Sequence, residues 1–305
     1  MLTLLEHLNF KVPMANGKRL IEDFFVNRLG CPECPTGRLR VCAPVRGQVP
    51  EGEQKQMHVN LGLSQIHFEW CTGDGREYSV PQRLEGFVTL QFRDMDKLRD
   101  SLKGIPFTEL TSGRLAVVDP FGLTTWVCEQ ATADDLRLVE RFGSVRPGGV
   151  GNAVGIKRVD YNCQPGMSGS IVQFYSQAFK APVSRSTTTG TSSEIHTRFG
   201  QTIAWNETLA APPPNAYEYG SGLWSIHMCF YIENFAQHAN NLQKLFWINP
   251  DYRGPPINDA VDTVDKALKS KQFRIKHIGD YYVLEHEIRA TDHPLSPLKD
   301  YQSKL

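Results

Sequence analysis

Polar and apolar residues alternate over Leu4-Leu5-Glu6-His7-Leu8-Asn9-Phe10-Lys11-Val12, and a period of two predicts a strand. The period then changes. Leu20, Ile21, Phe24, Phe25 and Leu29 are spaced by one, three and four residues, which predicts an amphipathic helix from about Asn16 to Leu29. Alternation returns from His58 to Trp70. The same order recurs. Gly86 to Phe92 predicts a strand, Asp94 caps a short helix over Met95, Leu98 and Leu102 that stops at Gly104, and Arg114–Val118 and Thr124–Glu129 flank the turn Asp119-Pro120-Phe121-Gly122. A third unit runs from Val154 to Cys163, through a helix over Ser168 to Ala181, to Gln201–Glu207. A fourth runs from Leu223 to Ile232, through a helix over Asn234 to Leu245, to strands at Gln272–Ile278 and Tyr281–Arg289. An inserted helix is expected near Ile257 to Lys269. Ser184 to Ser193 reads as a Ser/Thr-rich loop, and Pro212-Pro213-Pro214 as a stiff connector.

Between the second and third units lies Arg146-Pro147-Gly148-Gly149-Val150-Gly151-Asn152. Three glycines and a proline in seven residues mark a boundary. The expected domains are therefore 1–145 and 154–305, each holding two units. The length of 305 residues supports two domains of about 150.

Charge narrows the function classes. Lys and Arg number 33, and so do Asp and Glu. Such a balance argues against a partner held by bulk charge, a nucleic acid or an anionic membrane. No stretch reaches the ~18 consecutive apolar residues of a membrane span. The opening MLTLLEHLNFKVP reads as a strand, not as a secretory or transit segment. A soluble protein is expected, cytoplasmic by default and with an organelle still open. A small-molecule ligand and a protein partner or second copy are both compatible with the chain.

Seven cysteines, an odd count, are scattered over the chain. Cys128, Cys163 and Cys229 sit in apolar runs, where free thiols are commonly buried, so a reducing compartment is favoured over a disulfide framework. Cys31-Pro-Glu-Cys34 lacks the second ligand pair of a structural zinc site. Gly30-Cys31-Pro32 reads better as a helix end.

Four strand–helix–strand units in two pairs resemble the vicinal oxygen chelate superfamily, which includes glyoxalase I, extradiol dioxygenases and bleomycin-resistance proteins. The resemblance rests on LLEHLNFKV, VNLGLSQIHFEW, LAVVDPFG, IVQFYSQAF and WSIHMCFYI in that order, and covers residues 3 to 290. It implies an α+β fold of four βαβββ modules paired into two tandem cups. It also implies a divalent metal ion (Zn, Ni, Fe or Mn) held by His and carboxylate side chains from first and last strands. Divalent ions want such ligands converging from separate strands with a position left open.

Carried over residue by residue, the resemblance puts His7 and His67 at ligand positions of the first cup, with Glu69 and His58 as further donors. Phe87 and Trp126 stand where two more ligands are expected. In the second cup Arg158 replaces the first-strand His, where it would hold a carboxylate substrate or pair with Glu285. His227 and Glu285 are the metal ligands, and Glu207 and Glu287 the carboxylates that move a proton. His286 falls on the opposite strand face, and His286, Arg289, Asp292 and His293 are expected at a solvated or interface surface. The expectation is that the C-terminal cup carries the function while the N-terminal one supports it. The activity implied is that of a metal-dependent lyase, isomerase or dioxygenase acting on a small vicinal-oxygen substrate. The alternative is a non-catalytic binding or scaffold protein on a degenerate cup, since neither cup holds a full ligand set.

Overall fold

All four units form, in the order expected. A computed structural model describes residues 1–35, 56–71, 77–142, 147–185, 191–211, 226–249, 260–280 and 282–298. Arg146, residues 186–190, the Pro212–Pro214 connector, Leu223–Ser225, Ile257 and Tyr281 lie outside the described residues. Unit one is β1 (Leu2–Lys11), α1 (Met14–Ile21) continued by a wider turn over Glu22–Arg28, and the hairpin β2 (Gln56–Leu61) and β3 (Ser64–Glu69). Unit two is β4 (Gly86–Phe92), α2 (Met95–Ser101), β5 (Phe107–Glu109), β6 (Leu115–Val118) and β7 (Thr125–Gln130), followed by α3 (Ala133–Phe142). Unit three is β8 (Ala153–Cys163), α4 (Ser168–Phe179), β9 (Val183–Arg185), β10 (Ser192–His196) and β11 (Thr202–Glu207). Unit four is β12 (His227–Ile232), α5 (Phe235–Leu242), α6 (Val264–Ser270), β13 (Gln272–Ile278) and β14 (Tyr282–Ala290).

Local chemistry accounts for the element ends. The Asp94 side chain accepts the Lys97 amide at 2.8 Å and starts α2. Asp119 accepts the amides of Phe121, Leu123 and Thr124 and closes the β6–β7 turn. Gly30, at φ +67°, ends the first helix as expected. The sequence missed α3, and it missed β9 and β10, which flank the Ser/Thr-rich run expected as a loop. In units one and four the first of three returning strands shrinks to a bridge, Glu33 opposite Val59 and Phe246 opposite Ile275. Cys71 is disulfide-bonded, against the expectation from scattered cysteines; Cys31, Cys34, Cys128, Cys163 and Cys229 are free and buried.

The pairing of units corrects the expected one. One sheet has six strands in the order β13-β14-β12-β1-β3-β2, and the other has eight in the order β5-β6-β7-β4-β8-β11-β10-β9. The cups therefore join unit one with unit four and unit two with unit three. The joints are antiparallel, β1 against β12 and β4 against β8. Apolar faces decide this. Leu8, Phe10, Met228, Phe230, Phe273 and Ile288 belong to one core cluster that also takes in Val88, Leu90 and Val159 from the other sheet and Ile171 from α4.

The glycine-rich run 147–152 is pinned rather than loose. Asn60 donates to the Pro147 carbonyl at 2.9 Å, and Asn152 exchanges contacts with Gly30, Arg93 and Asp94. A Cβ at Gly148 would collide with the Glu33 carbonyl, and one at Gly151 with the Gly30 carbonyl. Close backbone approach, not flexibility, is what these glycines supply.

Past β14 the chain stays packed, and His293 is buried rather than at the solvated surface expected of it. Its Nδ1 accepts the Leu295 amide at 3.2 Å. Burial, with the Arg289 charge nearby, lowers its pKa from 6.5 to about 4. The unfolded chain thus binds this proton more readily than the folded one. The stability tied to neutral His293 is complete above about pH 6.5 and is lost as pH falls to about 4. With partial screening, roughly 1–3 kcal/mol is at stake. Denaturation midpoints measured between pH 7.5 and 4 should drop accordingly, and His293→Gln, which keeps an acceptor, should flatten part of the profile.

Candidate metal centre

Alternation along β1, β12, β14, β13 and β3 puts apolar residues against the helices and polar ones on the concave side of the six-stranded sheet. That side is buried and densely charged. Lys11, Arg274, Lys276 and Arg289 share it with Glu6, Glu69, Glu285 and Glu287, none more than 7% exposed. The parallel and antiparallel registers bring His7 beside Cys229, Asn9 beside His227, and Cys229 beside Glu287.

At the middle of this surface the Nε2 atoms of His7 and His227 face each other at 3.1 Å. Glu287 Oε2 lies 3.9 Å from the first and 3.7 Å from the second. These three donors fall within 4.8 Å of one another. They belong to β1, β12 and β14, so the group exists only because unit one pairs with unit four. Glu285 Oε1 stands 3.9 Å from His227 Nδ1.

Charge is tightly managed here. Burial, with Arg274 and His7 nearby, pushes His227 well below the ordinary imidazole range, so it is neutral at physiological pH. Burial opposes ionisation of Glu287, but Arg274 and Arg289 outweigh it and hold the carboxyl well below its usual range. Arg274 donates to Glu285 and to Glu287, both at 2.7 Å, and Arg289 Nε donates to Glu287 at 2.6 Å. Glu285 goes the other way: burial raises it, with Arg274, Lys11 and Asn249 offsetting part of the rise. Asn249 places its amide nitrogen 2.9 and 3.0 Å from the two Glu285 oxygens.

The sequence-predicted residues divide cleanly. His7, His227, Glu285 and Glu287 come together. His67 is stacked between His7 and His58, with ring centroids 3.9 and 3.5 Å away, and its Nε2 is 2.9 Å from Gln65 Oε1. It packs against the His7 ring instead of joining the donor group. Glu69 is buried on β3 opposite Lys11, one step further along. Glu207 and Arg158 are not in this cup. Glu207 accepts from the Ser168 amide and hydroxyl at 3.1 and 2.7 Å, at the start of α4. Arg158 is paired with Asp160 and Glu194 at 2.7 and 2.8 Å in the eight-stranded sheet.

Among the described residues the second cup shows no counterpart, and its register gives a reason. Arg158 sits opposite Thr89, Phe87 sits beside Asp160 and Thr125, and Ala204 sits beside Asp160. Neither Phe87 nor Ala204 has a donor atom for an ion, and Thr125 offers only a neutral hydroxyl. Trp126, expected at a ligand position of the first cup, packs into the core on Phe10 and Phe25 at 5.6 and 5.0 Å. Sequence reasoning missed Arg274, Asn249 and Glu6, and it placed Arg289 at a surface. Gln272-Phe273-Arg274-Ile275-Lys276 does alternate, which is the signal that could have put Arg274 on the concave face. His286 is on the opposite face, as expected, but it is buried, 2.5 Å from the Tyr175 hydroxyl.

No protein-family model matches the sequence, and no curated protein does. Solved structures do match in shape. A putative dioxygenase from Bacillus subtilis aligns over 98% of this chain and 88% of its own, at 13% identity and a TM-score of 0.55. A variant of glyoxalase I from Zea mays aligns over 98% of this chain and 94% of its own, at 11% identity and a TM-score of 0.50. The chain shares the fold of these two structures. At these identities the likeness is one of fold. Among the described residues no helix is long and apolar enough to cross a membrane.

Proposed function

We propose that the protein is a divalent-metal-dependent enzyme of the glyoxalase or dioxygenase type, with His7, His227 and Glu287 as the metal-holding residues. The observation that carries this is the meeting of those three donors on strands of two different units, inside a buried polar concavity. Two imidazoles and one carboxylate are a donor set that suits Fe, Mn, Ni or Zn. Ligand bonds of about 2.0–2.2 Å set neighbouring donors roughly 3–3.5 Å apart, so the 3.1 Å His7–His227 separation fits and Glu287 needs only a small inward shift.

A bound divalent ion would supply Lewis acidity to a carbonyl or enediolate oxygen. The chain's own residues do the rest. Neutral His227 offers Nε2 only with its proton on Nδ1, the side facing Glu285. Glu285, raised by burial, is the carboxyl suited to take and return a substrate proton, a role typically worth about 10²–10⁴-fold. Asn249 and Arg274 hold its oxygens. Glu207 and Arg158, proposed from sequence for proton transfer and substrate binding, have no place in this reading because they belong to the other sheet.

The deciding measurement is metal content of protein purified without a metal-binding tag, followed by titration of the chelator-treated protein with Fe, Mn, Ni and Zn. About one equivalent per chain is expected, with at least a 100-fold weaker uptake in His7→Ala and His227→Ala. No uptake by the unmodified chain would sink the reading. It would favour the second one, a binding protein on a degenerate cup, for which Arg274 and Arg289 already neutralise Glu287 without an ion.

A further inference from the structure

Strand alternation should send Glu6 and His7 to opposite faces. Both are buried on the concave side, where Glu6 Oε2 hydrogen-bonds His7 Nδ1. The cause is a bulge. Leu5 lies opposite Phe230, yet His7 lies opposite the very next residue, Cys229, so Glu6 is the extra residue. A bulge re-aims side chains and leaves backbone groups without ladder partners.

Those groups are met by one side chain from the other cup. The Gln201 Oε1 accepts the Leu5 amide at 2.7 Å, and its Nε2 donates to the Leu5 carbonyl at 3.0 Å. The same nitrogen lies 3.1 Å from the Ile156 carbonyl. Ile156 marks the matching bulge of β8, where Arg158 and Ile156 face the consecutive residues Thr89 and Leu90. One buried amide thus ties the bulge of each sheet to the other, and Ser64 Oγ adds a bond to the Leu5 carbonyl at 2.8 Å.

A Glu6 carboxylate 3.6 Å from the Arg289 guanidinium can only accept a hydrogen bond. His7 must then carry its proton on Nδ1 and keep the Nε2 lone pair, the atom that faces His227. We propose that Glu6 and Gln201 are positioning residues for His7: Gln201 holds the bulge, and Glu6 fixes the tautomer and ring orientation that present Nε2 to a metal ion. This rests on the function proposed above, and it places a determinant of the first cup in a residue of the second. Partners that orient a ligating His typically change metal affinity about 10–100-fold when removed.

The test uses the full chain, stripped of metal, and reads the tautomer of His7 from two-bond nitrogen–proton NMR correlations, assigned by comparison with His7→Gln. Unmodified protein and Glu6→Gln, which retains an acceptor, should show the Nδ1–H form. Glu6→Leu and Gln201→Met should show the other tautomer or a mixture, and should bind cobalt(II), followed by its visible absorption, about 10–100-fold more weakly. If Gln201→Met does not fold, Glu6→Leu decides. An unchanged tautomer in Glu6→Leu, or cobalt affinities within twofold of the unmodified chain in both variants, would overturn the proposal. If the unmodified chain takes up no metal at all, the functional reading fails separately, and the tautomer measurement still judges the role of Glu6.

Discussion

Arg274→Met is expected to destabilise the protein by about 3–5 kcal/mol, the usual cost of stripping one partner from a buried charge cluster. Arg274 is 6% exposed and donates to both Glu285 and Glu287 at 2.7 Å. Glu287 would keep Arg289, which donates to it at 2.6 Å. Glu285 would be left buried with Asn249 as its near neighbour and with a carboxyl already raised by burial. The loss should therefore be concentrated on Glu285. Adding Glu285→Gln to Arg274→Met should recover a large part of it, because the second change removes the stranded charge. Denaturant titrations of the single and double variants give the coupling directly. Additive losses with no recovery would show that Arg274 acts through packing alone.

Residues 1–145, produced alone, should not give a cooperatively folding monomer. Cutting the chain in the glycine-rich run divides both sheets through their middles, between β1 and β12 and between β4 and β8. Each half would carry two open edges and a split core, and exposed apolar edge strands associate or aggregate. Mixing it with residues 154–305 should restore a one-to-one complex. Circular dichroism melts and sedimentation decide the matter. A monomeric 1–145 with a sharp transition close to that of the whole chain would show that the halves are independent domains after all.

The same comparison separates what is readable locally from what is not. Alternation and helical spacing placed β1, β4, β8, α4 and β11 within a few residues, since each of these elements buries one face and its period shows. The Asp94 cap and the Asp119 turn were equally legible, because a side chain bonds to backbone only a few residues away. Strands β9 and β10 were not, being three and five residues long, whereas helix α3 does carry helical spacing at Leu136, Val139 and Phe142. At the site, His7, His227, Glu285 and Glu287 were visible as polar residues on strands that otherwise face apolar neighbours. Their assembly was not. The sequence pairs units by adjacency, and adjacency put His7 in one cup and His227 in the other. Sheet pairing between β1 and β12, residues more than 200 positions apart, is decided by which apolar faces close one core. That choice brought the two imidazoles to 3.1 Å, removed Arg158 and Glu207 from the centre, and turned a glycine-rich run into a packed joint. The bulge at Glu6 lies still further from sequence. A period of two sends neighbouring side chains apart, and only a one-residue slip against β12, held by Gln201 from the other sheet, brings Glu6 and His7 to the same side.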